Sequence, residues 1–116
     1  MAINLKIKVN STPSAIVAAI KTMIDNGEID TWSYDVDGDF THSPKQWMRR
    51  SWFRPEADDD NGTLSFWIIG NKNEVMTKTM YAIYHGRFVE MLLKHFDNQI
   101  DSFIITPERG LHDSFH

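Results

Sequence analysis

The sequence predicts a single two-layer α+β domain, in which two α-helices pack on one face of a mostly antiparallel sheet of about four to five strands. Several short segments alternate apolar and polar residues with period two, which is typical of strands with one buried face. Two longer segments repeat apolar residues at helical spacing. The length of 116 residues suits one hydrophobic core. The predicted order of elements is β-α-β-β-β-α-β.

The first two elements have the clearest signals. The first strand is predicted from four alternating apolar residues: Ile3, Leu5, Ile7 and Val9. Thr12 then offers a hydroxyl that can cap a helix, and Pro13 suits the first helical position because its missing N–H needs no partner there. A helix over about 13–25 follows, and Gly27 closes it.

The central strands are predicted between residues 29 and 70. Trp32 and Tyr34 alternate with polar residues before Asp37-Gly38, a dipeptide that favours a tight hairpin turn. Residues 51–54 and 63–69 are rich in β-branched and aromatic residues, which suit a sheet. Within these strands Trp32 and Trp67 are predicted to be core residues.

The second helix is longer than the first. The segment from Glu74 to about Asp97 contains no proline and carries a broad apolar face, with Asn73 as its predicted cap. A short closing strand is predicted over 103–106. The sequence therefore predicts one domain over residues 1–107, followed by a loose polar tail over 108–116.

Composition excludes several classes of function. The chain has no cysteine, so disulfides, thiolate catalysis and cysteine metal sites are excluded, and no cofactor is predicted. No apolar run approaches the ~20 residues that cross a membrane, and lysines interrupt the first ten residues, unlike a signal peptide. We therefore expect no membrane association and a cytoplasmic location.

Charge is distributed in blocks along the chain. Residues 22–44 contain six acids and no Lys or Arg, whereas residues 45–54 contain four cations and no acid. One interpretation is a solvated sheet surface on which basic and acidic neighbours balance. The other is a protein-binding surface, because Trp and Arg dominate interface hot spots. Its candidate binding residues are Trp47, Arg49, Arg50, Trp52 and Arg54.

The second interpretation predicts a non-enzymatic protein-binding module, such as a small inhibitor, immunity or adaptor-like domain. Its partner is predicted to be a protein that contacts the charged, Trp- and Arg-bearing sheet surface. An exposed sheet edge could also pair two copies of the chain into a homodimer.

An enzyme is the alternative hypothesis. A small-ligand hydrolase or transferase could use His42 or His85 as acid or base together with Asp37 or Asp39. This chemistry requires a pocket in which two of these groups come within hydrogen-bond distance. No complete catalytic motif supports it.

A metal site is not predicted. Residues 35–39 begin like a calcium-binding EF-hand loop, but Phe40 stands where that loop needs glycine and Gln46 where it needs glutamate. The acids around Asp37-Gly38 are better explained as residues of a hairpin turn.

Nucleic acid is a third class of partner, which the sequence favours less than a protein. Alternating aromatic and arginine residues suit single-stranded nucleic acid, but the flanking acids repel phosphates over a Debye length of about 8–10 Å. Alternatively, the acids of residues 25–39 could imitate a phosphate backbone. The order of the inner elements resembles that of double-stranded-RNA-binding domains, but Asn71-Lys72-Asn73-Glu74 replaces the basic cluster that opens their last helix.

Overall fold

The computed structural model describes residues 3–105, 107 and 113–115. Six strands form one antiparallel sheet in the order β2-β3-β4-β5-β1-β6. The described elements are β1 (Ile3–Ile7), α1 (Pro13–Asp25), β2 (Trp32–Tyr34), β3 (Phe40–His42), β4 (Ser51–Asp58), β5 (Thr63–Gly70), α2 (Lys78–Phe96), a 3-10 turn (Asp97–Gln99) and β6 (Ile100–Ile105). The predicted α+β class is confirmed, with six strands rather than four to five.

The helix ends follow local capping chemistry. The hydroxyl of Thr12 accepts a hydrogen bond from the amide of Ala15, and Pro13 opens α1, as the sequence predicts. The second helix begins at Lys78 rather than at Glu74, because the hydroxyl of Thr77 caps it by accepting from the amide of Met80 at 3.0 Å. Neither helix, among the residues described, has the length and hydropathy needed to cross a bilayer.

Both helices cover the same face of the sheet, here called the inner face. Ile16 and Ile20 of α1 belong to one core cluster with Phe88 of α2. Phe88 packs against Phe53 and Phe66, which point inward from the two central strands, at ring-centroid distances of 4.8 and 4.6 Å. The core thus lies between the helices and the inner face.

Trp32 and Trp67 lie in different environments. Trp32 is 1% exposed among core aromatic rings, which confirms its predicted place. The prediction that Trp67 is a core residue is wrong. Leu64, Phe66 and Ile68 are the inward residues of β5, so the period of two turns Trp67 to the opposite, outer face, where it is half-buried.

The last described residues add to the sheet. Ser114 forms a parallel bridge with Ile69 of β5, and its amide donates to the carbonyl of Ile68 at 3.0 Å. Phe115 packs beside Gly70 and Tyr81. The predicted tail 108–116 falls mostly on residues 108–112 and 116, which lie outside the described residues.

Candidate functional site

Four side chains form a patch on the outer face of β4 and β5. The register pairs Trp52 with Ile69 and Arg54 with Trp67, so these residues are adjacent across the two central strands. We call Trp52, Arg54, Trp67 and Ile69 the outer patch. No helix in the described part of the chain packs on this face, because both helices cover the inner one.

Hydrogen bonds fix two members of the outer patch. The guanidinium of Arg54 donates through Nε and Nη2 to the two carboxylate oxygens of Asp39, at 3.3 and 3.0 Å. This hydrogen bond and the carboxylate charge raise the pKa of Arg54 above its ordinary value. The indole N–H of Trp67 donates to Glu56 at 2.8 Å. The patch is therefore pre-ordered, and the charge of Arg54 is balanced by that of Asp39.

The other three predicted binding residues lie in a turn, residues 43–50, that precedes β4. Arg50 forms an ion pair with Glu74 at 3.1 Å, and its guanidinium lies 5.2 Å from the ring centroid of Trp47. Arg49 has a left-handed backbone with φ of 61° and is exposed. Of the five predicted binding residues, the structure thus brings Trp52 and Arg54 together in the outer patch and places the others in the turn.

His42 lies at a separate cleft of about 230 Å³. His42 is 5% exposed, and its Nδ1 lies 2.8 Å from the carbonyl oxygen of Thr31. Because a carbonyl only accepts, Nδ1 carries the proton in the neutral ring and Nε2 is left as an acceptor. Besides Thr31, the cleft is lined by His42, Pro44, Gln46, Trp47, Arg87 and Glu90.

The environment of His42 favours the neutral ring. Burial, the largest effect, lowers its pKa below the ordinary value, and the positive charge of Arg87 lowers it further. The hydrogen bond with Thr31 and the negative charge of Glu90 act in the opposite direction without reversing the shift. His42 is therefore uncharged near neutral pH.

The other predicted catalytic residues lie elsewhere. His85 is buried, with its ring stacked on Tyr81 at 4.0 Å and edge-on to Phe53 at 5.0 Å. Neither Asp37 nor Asp39 lines the His42 cleft. Asp39 is instead paired with Arg54 beside the outer patch.

Three acids lie close together in the turn of the β2–β3 hairpin. Carboxylate oxygens of Asp35, Asp37 and Asp39 lie within 4.8 Å of one another. One oxygen of Asp35 accepts hydrogen bonds from the amides of Asp37 and Asp39, each at 3.0 Å. These contacts fit the predicted hairpin-turn role for Asp35, whereas the carboxylate of Asp39 pairs with Arg54.

The sequence analysis did not assign Trp67 and Ile69 to the outer patch, nor Arg87 and Glu90 to the cleft of His42. The alternation of β5 places Trp67 and Ile69 on the outer face. The high apolar content of the strand hides this signal, because it is typical of a strand buried on both faces. Arg87 and Glu90 reach the cleft only because α2 crosses the 43–50 turn, and no local signal reports that contact.

No family model, curated protein or solved structure matches this chain.

Proposed function

We propose that the chain is a non-enzymatic module that binds another protein through the outer face of its sheet, with the outer patch at the centre of the contact. The observation that supports this most is the register that sets Trp52 beside Ile69 and Arg54 beside Trp67. Trp and Arg are the residues on which binding energy concentrates at protein interfaces. Small inhibitors, immunity proteins and adaptors act by such contacts.

The chemistry of the patch indicates the kind of surface it fits. Trp52, Trp67 and Ile69 offer apolar area, so the partner should present apolar side chains to them. The side chain of Arg54 is 59% exposed although it is paired with the nearly buried Asp39, and the pairing uses Nε and Nη2. Its remaining nitrogen, Nη1, can donate to a carbonyl or carboxylate of the partner.

The enzyme alternative has less support. It requires Asp37 or Asp39 beside a catalytic histidine, whereas the cleft of His42 is lined by neither.

A homodimer stays a prediction, as does the cytoplasmic location. The two edge strands of the described sheet are β2 and β6. β6 carries Ile104, which is 61% exposed, so this edge is the one we expect two copies to pair through. Light scattering of the purified chain and of an Ile104→Lys variant tests that expectation.

Affinity capture followed by titration of the purified partner tests the protein-binding proposal. We expect Trp52→Ala and Trp67→Ala each to weaken binding by about 2 kcal/mol, close to 30-fold. Leu93→Ala is the matched control, because Leu93 is 49% exposed on α2 and lies outside the outer patch. Arg54→Ala is unsuitable, since it would leave the buried Asp39 without its partner.

The proposal fails if Trp52→Ala and Trp67→Ala bind the captured partner as tightly as wild type. It also fails if the material captured is nucleic acid rather than protein.

A further inference from the structure

The His42 cleft is held open by contacts that need no ligand. The carbonyl of Thr31 lies 2.8 Å from Nδ1 of His42 and accepts from the amide of Ser43, also at 2.8 Å. On the other side, the hydroxyl of Tyr84 donates to the carbonyl of Trp47. Both walls are therefore fixed by contacts to the core, so ligand binding would cost little conformational entropy to order the site.

The cleft offers one acceptor from its inner side. Nε2 of His42 has no hydrogen-bond partner in the described part of the chain, and its lone pair is available because the proton lies on Nδ1. A ligand that fills the cleft must therefore bring an N–H or O–H donor to His42.

The α2 side of the cleft offers both donors and an acceptor. Nη1 of Arg87 donates to Oε2 of Glu90 at 3.1 Å, and both side chains are more than half exposed. This pair leaves the other guanidinium nitrogens of Arg87 free to donate and Oε1 of Glu90 free to accept. Because the charges of Arg87 and Glu90 cancel, the cleft has no net charge that would offset the desolvation of a charged ligand.

The remaining lining fixes the size and shape of an occupant. Trp47 and Pro44 supply apolar surface, and the amide of Gln46 can both donate and accept. A volume of about 230 Å³ holds roughly eight water-sized groups at about 30 Å³ each. This is the size of a single small ring with its substituents.

We propose that the His42 cleft binds a small uncharged ring compound whose edge alternates N–H and C=O groups, a cyclic amide or ureide such as a free pyrimidine or purine base. One N–H donates to Nε2 of His42, a carbonyl accepts from Arg87, and a second N–H donates to Glu90. The ring lies against Trp47 and Pro44. This site is distinct from the outer patch and does not depend on it.

Uracil is the probe, because it carries this edge on a ring of the right size. Titration is followed by the indole N–H signals of the four tryptophans in a ¹⁵N spectrum. We expect uracil to bind with a Kd of about 1 mM or below and to shift the Trp47 signal while those of Trp52 and Trp67 stay in place. 1,3-Dimethyluracil has the same ring without N–H donors and should bind at least about tenfold more weakly.

Two variants test the α2 side of the cleft. Arg87→Gln should weaken uracil binding at least about tenfold, whereas Lys94→Gln, which removes an exposed cation from the same helix, should leave it unchanged. Uridine monophosphate separates a free base from a nucleotide, and we expect it to bind no more tightly than uracil, because the charges of Arg87 and Glu90 cancel and do not offset the desolvation of its phosphate.

Three results would overturn the assignment. They are the absence of any Trp47 shift at about ten times the expected Kd, equal binding of uracil and its dimethyl analogue, and tighter binding of the nucleotide than of the base.

Discussion

The hydroxyl of Tyr84 donates a hydrogen bond to the main-chain carbonyl of Trp47, linking the buried face of α2 to the turn that precedes β4. Tyr84 is fully buried, and the same hydroxyl accepts from the amide of Ser51 at 3.2 Å and lies 3.1 Å from Oγ1 of Thr41. Burial raises the pKa of Tyr84, so the hydroxyl keeps its proton and can donate. One side chain thereby positions the wall of the cleft and the start of the strand that carries Trp52.

Tyr84→Phe should destabilise the protein by about 1–3 kcal/mol, because the buried groups of the turn lose their shared partner. Urea denaturation measures the change in the free energy of unfolding. Tyr34→Phe is the control: its hydroxyl bonds Asp25 at an exposed site, so its removal should cost less than about 0.5 kcal/mol. Equal effects of the two substitutions would contradict the role assigned to Tyr84.

Gly70→Ala should displace residues 113–115 from β5. A Cβ at this position would lie 2.6 Å from Cβ of Phe115, closer than carbon atoms approach, so Phe115 must move. The amide of residue 70, which donates to the carbonyl of Ser114 at 2.6 Å, should then exchange with solvent faster. Unchanged exchange at this amide would show that Phe115 does not occupy the place described.

Gly86→Ala should stabilise the protein. Gly86 lies inside α2, and a Cβ there would meet nothing within 4 Å. Since glycine costs a helix interior up to about 1 kcal/mol relative to alanine, the substitution should stabilise the protein by roughly 0.5–1 kcal/mol. Thermal and urea unfolding measure this gain, and a loss of stability would indicate a contact at Gly86 that the structure does not contain.

Stability should decrease as pH falls below neutral, through His42. Its pKa in the folded state lies below the ordinary 6.5, so between that lowered value and 6.5 the unfolded chain binds more protons than the folded one. Arg87 opposes protonation and Glu90 favours it, but burial dominates. The contribution of the neutral His42 ring to the free energy of unfolding is therefore fully present above pH 6.5 and is lost as the pH falls below that value.

Urea denaturation at pH 7, 6 and 5 measures this loss. The free energy of unfolding of His42→Gln should show a smaller decrease than that of wild type over this range. If the profile of His42→Gln runs parallel to that of wild type, His42 is not the group responsible.

The sequence predicts the fold well because its local signals agree with one another. Thr12 and Pro13 define the start of α1, and the alternation of Ile3, Leu5 and Ile7 defines β1. Val9 continues the predicted alternation, but it is exposed and lies beyond the end of the strand. The start of α2 differs from the predicted one because Asn73 and Thr77 are both good capping residues, and it is the Thr77 hydroxyl that accepts from the amide of Met80.

The candidate sites were less predictable, because they depend on contacts between distant segments. Trp52 and Arg54 could be singled out from their composition, but their neighbours Trp67 and Ile69 follow from the register between β4 and β5. The pairing of Asp39 with Arg54 joins residues of the acidic and basic blocks, which local spacing does not report. The same holds for Arg87, which reaches the cleft of His42 from another element.

The four tryptophans provide the most direct test of the protein-binding proposal, because together they report three different environments. Trp52 and Trp67 lie on the outer face, Trp47 lines the cleft and Trp32 is in the core. The measurement is a ¹⁵N spectrum of the indole N–H signals during titration with the captured partner protein. We predict that the Trp52 and Trp67 signals shift or broaden at stoichiometric partner while that of Trp32 does not. Saturation with partner that leaves both outer-face signals unchanged would contradict the proposal.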